Sequence, residues 1–351
     1  MVPAVLEVLE EGNYVLGPRV KAFEEGFAKL HGAQHAVAVN SGTSALQLAL
    51  LAAGIGPGDE VITSPMTFTA SAAAILYTGA KPVFVDIEPN TCTINPDKIK
   101  EKITPRTRAI LPVHLYGQAA SMDTIMTIAQ RHHLAVVEDC AQAHLADYQN
   151  QKVGTFGSFG CFSFYPGKNL GAYGEGGLVL VKNSGDADKI RQLRDWGQSR
   201  KYHHDFLGFN YRMDAIQGAV LGIKLGSLQG WTENRRRHAA LYQRILQKNG
   251  YHVAREAEGR RHVYHIFSVF HEQRDKLQDY LAARGVETAL HYPVPIHLQK
   301  AYRSLGYQIG DFPVSEWLAR TQISLPIYPE LSEDEVMQVT DLLIDFLKIT
   351  K

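Results

Sequence analysis

The chain has 351 residues, of which 36 are basic and 36 are acidic, so its formal charge at pH 7 is zero. A chain of this length has enough residues for one large domain and a smaller one, each with a buried core. The charge balance excludes the broad basic surface with which a protein binds nucleic acid or an anionic membrane. No apolar run reaches the roughly 18 residues of a membrane-spanning helix, so we expect no membrane association.

Cysteine usage and the first residues of the chain bear on its compartment. Cys92, Cys140 and Cys161 show neither a CxxC motif nor the Cys/His spacing of a metal site. We therefore expect three buried, reduced thiols and no bound metal. Residues 1–11 are acidic and amphipathic, unlike a signal peptide, and we expect a cytoplasmic protein.

Strand patterns and helix patterns alternate over most of the first 230 residues. This alternation predicts an α/β fold in which a mostly parallel sheet is covered by helices on both faces. The predicted strands are 37–39, 60–63, 82–86, 109–113, 134–139, 160–164 and 178–182, and the predicted helices are 1–11, 18–31, 43–53 and 122–133, with three more that end near residues 77, 196 and 228.

The pattern changes near residue 250, where a half-exposed strand and separated helices replace the regular alternation. We predict a large domain over residues 12–230 and a small C-terminal α+β domain over 231–351, which residues 1–11 join. The elements predicted for the small domain are a long charged helix at 232–248, a strand at 263–270, and helices near 273–284, 314–320 and 332–347.

The turn after the first predicted strand consists of small residues. Gly42 allows a close approach of the backbone, and Thr43 adds a hydroxyl and an N–H group at the positive end of the next helix. A strand, a small-residue turn and a buried helix in this order are typical of a phosphate site. A plain helix N-cap explains the same residues equally well.

Two further stretches contain candidate binding residues. Phe68 follows a predicted strand, where a planar ring could stack on it, although a core position is the commoner role of a phenylalanine. The loop over 290–297 contains two prolines together with His291, Tyr292 and His297. Proline-stiffened loops with polar side chains often line binding sites.

A carboxylate and a lysine stand at the ends of two predicted strands. The apolar strand at 134–139 ends on Asp139, and the strand at 160–164 is followed by Lys168. Open α/β sheets bind ligands at this end of their strands. The pair suggests pyridoxal 5'-phosphate (PLP), because the aldehyde needs an amine for a Schiff base and the pyridine nitrogen needs an anion. A strand-end Asp more often caps a turn, so the pair does not decide the matter alone.

Six stretches, in chain order, resemble the DegT/DnrJ/EryC1/StrS family of sugar-nucleotide aminotransferases. Several motifs in the same order are far more specific than any one of them. They span nearly the whole chain and are residues 40–45, 58–62, 112–117, 138–144, 162–171 and 210–217.

The resemblance assigns a role to each matching position. Lys168 would form the Schiff base and move protons, and Asp139 would pair with the pyridine nitrogen. Asn210 would contact the phosphate in the neighbouring subunit, which implies a homodimer with shared active sites. The other implied contacts are Gln142 with the ring hydroxyl, Gly42, Thr43 and Ser163 with the phosphate, Phe68 with the ring face, and Tyr14, Arg212, His291, Tyr292 and His297 with the substrate.

The resemblance also implies the reaction. Members have the fold-type I PLP architecture, and a lysine at 168, rather than a histidine, favours transamination over dehydration. We therefore expect transfer of an amino group from L-glutamate to a keto sugar nucleotide by a ping-pong mechanism. The pattern around Gly197-Gln198, Lys201-Tyr202 and His204 most resembles members that act on dTDP-linked 3-keto-6-deoxyhexoses.

One residue departs from the family pattern, and other functions stay open. Leu145 stands where the family usually has a small residue, so the substrate shape could differ. An aminotransferase for a cyclitol ketone or another cyclic ketone is one alternative. A non-enzymatic relative of the fold is another, although Asp139 and Lys168 argue against it. A nicotinamide enzyme is disfavoured because no G-x-G-x-x-G motif opens the first helix.

Overall fold

The computed structural model describes residues 1–350, and Lys351, the last residue of the predicted small domain, lies outside them. Within this range the chain forms fifteen strands. They are β1 (His35–Val39), β2 (Glu60–Thr63), β3 (Lys81–Phe84), β4 (Thr107–Ile110), β5 (Ala135–Asp139), β6 (Asp147–Tyr148), β7 (Gln151–Lys152), β8 (Phe159–Ser163), β9 (Gly177–Val181), β10 (Gln198–Arg200), β11 (His203–His204), β12 (His252–Val253), β13 (Arg260–Arg261), β14 (Phe267–Phe270) and β15 (Gln322–Leu325).

Helices follow most of the longer strands. None of those in the described part of the chain is both long enough and apolar enough to cross a membrane. The α-helices of residues 1–350 are α1 (Val2–Glu11), α2 (Gly17–His31), α3 (Gly42–Ala52), α4 (Thr69–Tyr77), α5 (Met122–His132), α6 (Ser184–Leu193), α7 (Ala215–Leu225), α8 (Leu228–Lys248), α9 (Arg274–Ala282), α10 (Pro313–Thr321) and α11 (Glu333–Thr350).

A central sheet contains seven strands in the order β1–β9–β8–β5–β4–β2–β3. Neighbours from β8 to β3 pair in parallel, whereas β9 is antiparallel to both β8 and β1. The predicted α/β fold with a mostly parallel sheet is therefore confirmed. β9 is reversed because the glycine-rich loop over 164–176 returns the chain without a crossover helix, and parallel pairing requires such a crossover.

Apolar residues pack on both faces of this sheet. Successive residues of a strand point to opposite sides. Ala36 and Ala38 of β1 accordingly join the core under α2 and α5, whereas Val37 and Val39 join the core under α3 and α4. Burial on both faces explains why the strand sequences are continuous apolar runs rather than alternating patterns.

The C-terminal part of the chain has a core of its own. β12, β14 and β15 form an antiparallel sheet, and α8, α9 and α11 supply apolar residues that pack with it. Tyr242 of α8 and Leu343 of α11 are completely buried in this core. The domain boundary at residue 231 remains a prediction, and α8 runs through it from Leu228 to Lys248.

The first helix lies against the large sheet's helices, which differs from the predicted membership of residues 1–11 in the small domain. Val8 of α1 packs with Ala215 and Ala219 of α7. A short amphipathic helix carries no information about which surface will cover its apolar face. The sequence pattern predicted the helix, and its assignment to the small domain remains a prediction.

The strand predicted at 263–270 is shorter in the structure, where β14 begins only at Phe267. The preceding residues bond to the loop that follows β4. Val263 N donates to the carbonyl of Gly117 (2.9 Å), and Ile266 N donates to the carbonyl of Tyr116 (3.2 Å). Tyr264 between them has φ of 43°, which interrupts the extended backbone.

Glu138, next to the predicted site residue Asp139, anchors a loop beside the sheet. Its fully buried carboxylate accepts hydrogen bonds from three N–H groups of loop 154–157, at 2.7, 2.8 and 2.8 Å. His114 adds a fourth from Nε2 (3.1 Å), because its Nδ1 accepts from Ala120 N (3.0 Å). Cys140 lies in the same cluster. With these atoms engaged in hydrogen bonds, we interpret the cluster as a structural anchor rather than an open metal site.

Replacing Glu138 by Gln should lower the free energy of unfolding by about 2–4 kcal/mol, because one carboxylate oxygen becomes an NH2 group that faces donors. Urea denaturation followed by circular dichroism measures the loss. Glu101→Gln, at an exposed position, is the matched control. A change at Glu138 within about 0.5 kcal/mol, the range of ordinary surface substitutions, would contradict the anchoring role.

Candidate active site

A cavity of about 620 Å³ opens at the carboxyl ends of β5 and β8, beside the start of α3. Parallel strands end at this edge, so side chains that are distant in sequence meet there. Most of the predicted site residues line its wall, namely Gly42, Thr43, Phe68, Asp139, Gln142, Ser163, Lys168, His291 and Tyr292.

The N-terminus of α3 provides a phosphate-sized recess. Ser41 caps the helix, since its Oγ accepts from Ser44 N (3.1 Å). The N–H groups of Gly42 and Thr43 belong to the first turn, where no helical carbonyl is available to them. A Cβ on Gly42 would lie 2.6 Å from Cβ of Ser163, so the approach of α3 to β8 requires glycine. These N–H groups and the hydroxyls of Thr43 and Ser163 suit an anion at the helix N-terminus.

Asp139 ends β5 as a buried carboxylate that is 4 % exposed. Ser71 Oγ donates to its Oδ2 (2.7 Å), and Ala141 N donates to its Oδ1 (3.1 Å). Burial raises the pKa of this carboxyl, while the hydrogen bonds and then the charge of Lys168 oppose the shift. None of the ion pairs within 4.0 Å among the described residues involves Asp139. A bound cation would therefore stabilise the ionised form of this carboxylate.

Lys168 follows β8 in a turn, where its N donates to the carbonyl of Tyr165 (2.8 Å). Part of the side chain is open to the cavity, but the surrounding protein removes much of the water around the amine. This burial lowers the pKa of Lys168 to about 8, and the charge of Asp139 partly opposes the shift. More of the amine is therefore neutral and nucleophilic than for an ordinary lysine at the same pH.

Two aromatic rings and an amide form another wall of the cavity. Gln142 Oε1 accepts from Tyr116 N (2.7 Å), and its Nε2 donates to the hydroxyl of Tyr292 (3.1 Å). The Tyr116 hydroxyl donates to the carbonyl of His291, which ties that loop to the large sheet. The rings of Phe68 and Tyr292 lie 5.8 Å apart at a tilt of 43°. A planar ring could stack on Phe68, and the second N–H of Gln142 could reach its hydroxyl.

Three predicted site residues lie together on the surface, outside the cavity of their own chain. Arg212 forms an ion pair with Asp195 (2.6 Å) and donates to Oδ1 of Asn210 (2.6 Å). Tyr14 is 53 % exposed, and its carbonyl accepts from Ala215 N (2.9 Å), close to Arg212 in the chain. The structure of one chain therefore does not bring these residues to the cavity wall.

His297 and Leu145 lie in the core, although the sequence suggested a role for each on the substrate side. His297 is buried, hydrogen-bonded to Glu316 (3.1 Å) and packed on Phe312. The chain turns into a 3-10 helix at Ile296–Leu298, and this turn directs the side chain into the core. Leu145 is 3 % exposed within the main core. Neither side chain lines the cavity.

Three residues that shape the site were not identified from the sequence. Ser71 supports Asp139 from the first turn of α4, three residues after Phe68, so helical spacing from Phe68 could have indicated it. Glu175 lines the cavity from the glycine-rich loop over 164–176, a composition that favours a tight turn. His265 also lines the cavity, but it falls within a stretch that the alternating pattern assigned to a strand.

A cation would stabilise the Asp139 carboxylate, and an electrophile would react with the Lys168 amine. A single cofactor can provide both groups. A protonated pyridine ring would face the carboxylate, an aldehyde would accept the amine, and a phosphate would occupy the recess at α3. The residues therefore fit PLP at all three of its reactive or charged groups. Such a cavity at the edge of this sheet is that of a PLP-dependent enzyme of fold type I.

Comparisons with known proteins identify the family. The chain matches the model of the DegT/DnrJ/EryC1/StrS aminotransferase family over residues 1–344. It is 45% identical to dTDP-3-amino-3,4,6-trideoxy-alpha-D-glucose transaminase of Streptomyces venezuelae, over 96% of this chain and 89% of that protein. It is 43% identical to a pleiotropic regulatory protein of Geobacillus stearothermophilus, over 99% of this chain and 95% of that protein. The chain belongs to the DegT/DnrJ/EryC1/StrS aminotransferase family.

A solved structure supports the same conclusion. The structure of DesV from S. venezuelae, in complex with a ketimine intermediate, matches with a TM-score of 0.96 at 45% identity, over 98% of this chain and 93% of that one. Aminotransferases of this family depend on PLP, so the predicted fold, enzyme class and cofactor are confirmed. The roles of individual residues remain predictions.

The lowered pKa of Lys168 predicts a pH dependence for cofactor uptake. Only the neutral amine attacks an aldehyde, and its fraction rises with pH. The rate at which the cofactor-free protein takes up PLP should therefore increase with a midpoint near pH 8. Stopped-flow absorbance measures this rate.

Two variants control the measurement. Asp139→Asn should move the midpoint to lower pH, because the carboxylate raises the pKa of the amine. Lys168→Ala should remove the covalent phase altogether. A midpoint near 10.4, the value of an exposed lysine, would show that the cavity does not desolvate Lys168.

Proposed function

We propose that this protein transfers an amino group from L-glutamate to the ketone of a sugar nucleotide, a dTDP-linked 3-keto-6-deoxyhexose, in the two half-reactions of a ping-pong mechanism. The observation that carries the proposal is that Lys168 and Asp139 line the same cavity. The 45% identical relative from S. venezuelae, a dTDP-amino-sugar transaminase, supports the choice of acceptor.

The residues of the cavity divide the chemical work. PLP, when bound, supplies the electron sink that allows a proton to leave the carbon that carries the nitrogen. Asp139 would hold a proton on the ring nitrogen, while Ser71 and the N–H of Ala141 fix the orientation of the carboxylate. Lys168, with a pKa near 8, can both take up and release a proton near neutral pH. The N-terminus of α3 would hold the phosphate and so fix the ring position.

Neutral polar groups near Lys168 favour a sugar as the acceptor. Burial, and then the charge of Lys168, lowers the pKa of His291 to about 4, so this imidazole is neutral at physiological pH. Burial also raises the pKa of Tyr292, whose phenol is therefore neutral. Neutral donors and acceptors suit hydroxyl groups, whereas the carboxylates of an amino acid call for a cation.

We infer that the cation comes from a second copy of the chain in a homodimer with shared active sites. Arg212 is held at the surface by Asp195 and Asn210, ready to contact a neighbouring molecule. The same segment exposes large apolar side chains, which favour an interface. They are Trp196 at 48 %, Tyr202 at 79 % and Leu207 at 96 % exposure. Asn210, Arg212 and Tyr14 would then complete the partner's cavity.

Two further points of the proposal concern compartment and alternatives. Cys92, Cys140 and Cys161 are buried free thiols, which supports a reducing compartment such as the cytoplasm. The relative from G. stearothermophilus is named for regulation rather than catalysis. A regulator without catalytic activity and an enzyme for a cyclitol ketone are therefore alternative outcomes of the first experiment below.

Absorbance spectroscopy of purified protein tests the reaction. Wild type loaded with PLP should show a visible or near-ultraviolet band that shifts on addition of L-glutamate, and adding the dTDP-keto sugar should restore it. Lys168→Ala should bind the cofactor but show neither shift. Glutamine and a cyclitol ketone serve as the alternative donor and acceptor. A wild-type spectrum that no amine donor changes would contradict the aminotransferase assignment.

Mixed dimers test whether Asn210 acts across the interface. Lys168→Ala and Asn210→Ala chains should each be inactive, but an equal mixture should recover about a quarter of the wild-type rate, because half of the dimers then contain one intact site of two. A mixture of Lys168→Ala with Asp139→Ala is the matched control, since both defects lie in the same chain's cavity and no intact site forms. Failure of the first mixture to recover activity would place Asn210 outside the partner's site.

A further inference from the structure

His265 and His291 lie on the same wall of the cavity, and both also line an adjoining cavity of about 270 Å³. His265 is held there by the backbone bonds of residues 263–266 to the loop after β4. Neither Nε2 atom is hydrogen-bonded within residues 1–350, and neither is among the buried atoms without a partner. Both Nε2 atoms are therefore accessible from the cavities.

The hydrogen bonds of Asn169 define which nitrogen of His265 carries the proton. Asn169 Nδ2 donates to the carbonyl of Val263 (3.0 Å), which can only accept. Its Oδ1 must therefore accept from Nδ1 of His265 (3.2 Å). Since Nδ1 carries the proton, Nε2 of a neutral His265 presents a bare lone pair to the cavity.

His291 has the opposite arrangement, which the hydrogen bonds of Gln322 and Ser324 indicate. The N–H of His291 donates to Oε1 of Gln322 (2.8 Å), so the other end of that amide is the NH2 group. This group donates to the hydroxyl of Ser324 (2.6 Å) and to that of Ser268 (3.0 Å). Among residues 1–350 the Ser324 hydroxyl has no acceptor within hydrogen-bond distance other than Nδ1 of His291 (2.8 Å), so we assign its proton to that contact. The proton of a neutral His291 consequently resides on Nε2, which is a donor.

Both imidazoles are neutral under physiological conditions, so these tautomers decide what each residue can bind. Burial, followed by the charge of Lys168, lowers the pKa of His265 well below its usual value and that of His291 to about 4. Both residues line the cavity that Lys168 also lines. One wall of the active site thus combines a hydrogen-bond acceptor with a hydrogen-bond donor.

We propose that His265 and His291 together recognise a hydroxyl-bearing edge of the acceptor sugar ring. His265 Nε2 accepts the proton of a ring hydroxyl, and the Nε2–H of His291 donates to an oxygen of the same edge. Asn169 and Ser324 are positioning residues that fix the two tautomers. This inference rests on the proposed sugar-nucleotide acceptor and adds the residues that determine its specificity.

A matched pair of polar groups discriminates strongly against a substrate that lacks the hydroxyl. A deoxy position at this edge leaves His265 Nε2 or the His291 N–H without a partner in a cavity that has lost its water. A carboxylate would be poorly bound by the same pair, because it cannot donate to the lone pair of His265. The geometry therefore favours the sugar over the amino acid at this wall.

Calorimetric titration of the PLP-loaded protein tests the inference. The ligands are dTDP-glucose, its 2-, 3- and 4-monodeoxy analogues, and dTDP. We expect at least one deoxy analogue to bind wild type about tenfold or more weakly than dTDP-glucose. His265→Phe and His291→Phe should each reduce this discrimination to about twofold or less, while dTDP alone binds wild type and variants equally.

Two variants of Ser324 distinguish a loss of His291 positioning from general damage to the structure. Ser324→Ala removes the proton that fixes His291 and should reduce discrimination, whereas Ser324→Thr keeps the hydroxyl and should retain it. Equal binding of all four sugars to wild type, or unchanged discrimination in the histidine variants, would overturn the inference. If neither dTDP nor dTDP-glucose binds wild type, the sugar-nucleotide assignment fails instead, and the spectral response to glutamate reports separately on the aminotransferase.

Discussion

The chemistry of the site depends on the burial of one carboxylate. Asp139 lies at the end of β5, nearly out of contact with water, with a hydroxyl and an N–H group as its direct hydrogen-bond donors. An anion in that position costs free energy until a cation or further donors approach it. In the same cavity, burial lowers the pKa of the Lys168 amine and so favours its neutral form. A cofactor with a protonated ring and an electrophilic carbon relieves both.

The sheet brings these groups together by converging its strand ends on one edge. The contact of Gly42 with Ser163 allows the N-terminus of α3 to reach the end of β8, and both then face the end of β5. The C-terminal part of the chain closes the other side through His291 and Tyr292, which Tyr116 and Gln142 hold by hydrogen bonds. The cavity is thus built from both parts of the chain, and it combines two ionisable groups, Asp139 and Lys168, with neutral imidazoles.

The sequence predicts the parts of this arrangement that depend on local pattern. The strand that ends on Asp139 and the strand before Lys168 are both visible in the sequence as short apolar runs. The turn at Gly42 is visible as a group of small residues before a buried helix. What it misses depends on long-range contact. Ser71 is 68 residues from the carboxylate that it supports, and His265 acquires its role through Asn169, 96 residues earlier. His297 was predicted from a loop that folds into a 3-10 helix instead, and its side chain is buried in the core.

Glu138 and Asp139 are adjacent at the end of β5, but their side chains contact different parts of the structure. Glu138 faces the loop over 154–157, whereas Asp139 faces the cavity, because successive strand residues alternate between the faces of a sheet. A slip of one residue in the pairing of β5 would exchange them, placing a longer side chain against Ser71 and a shorter one where four donors converge. The register that assembles the sheet therefore also selects which acid serves the chemistry, and a chain folded out of register would lose its anchor and its active site in the same step.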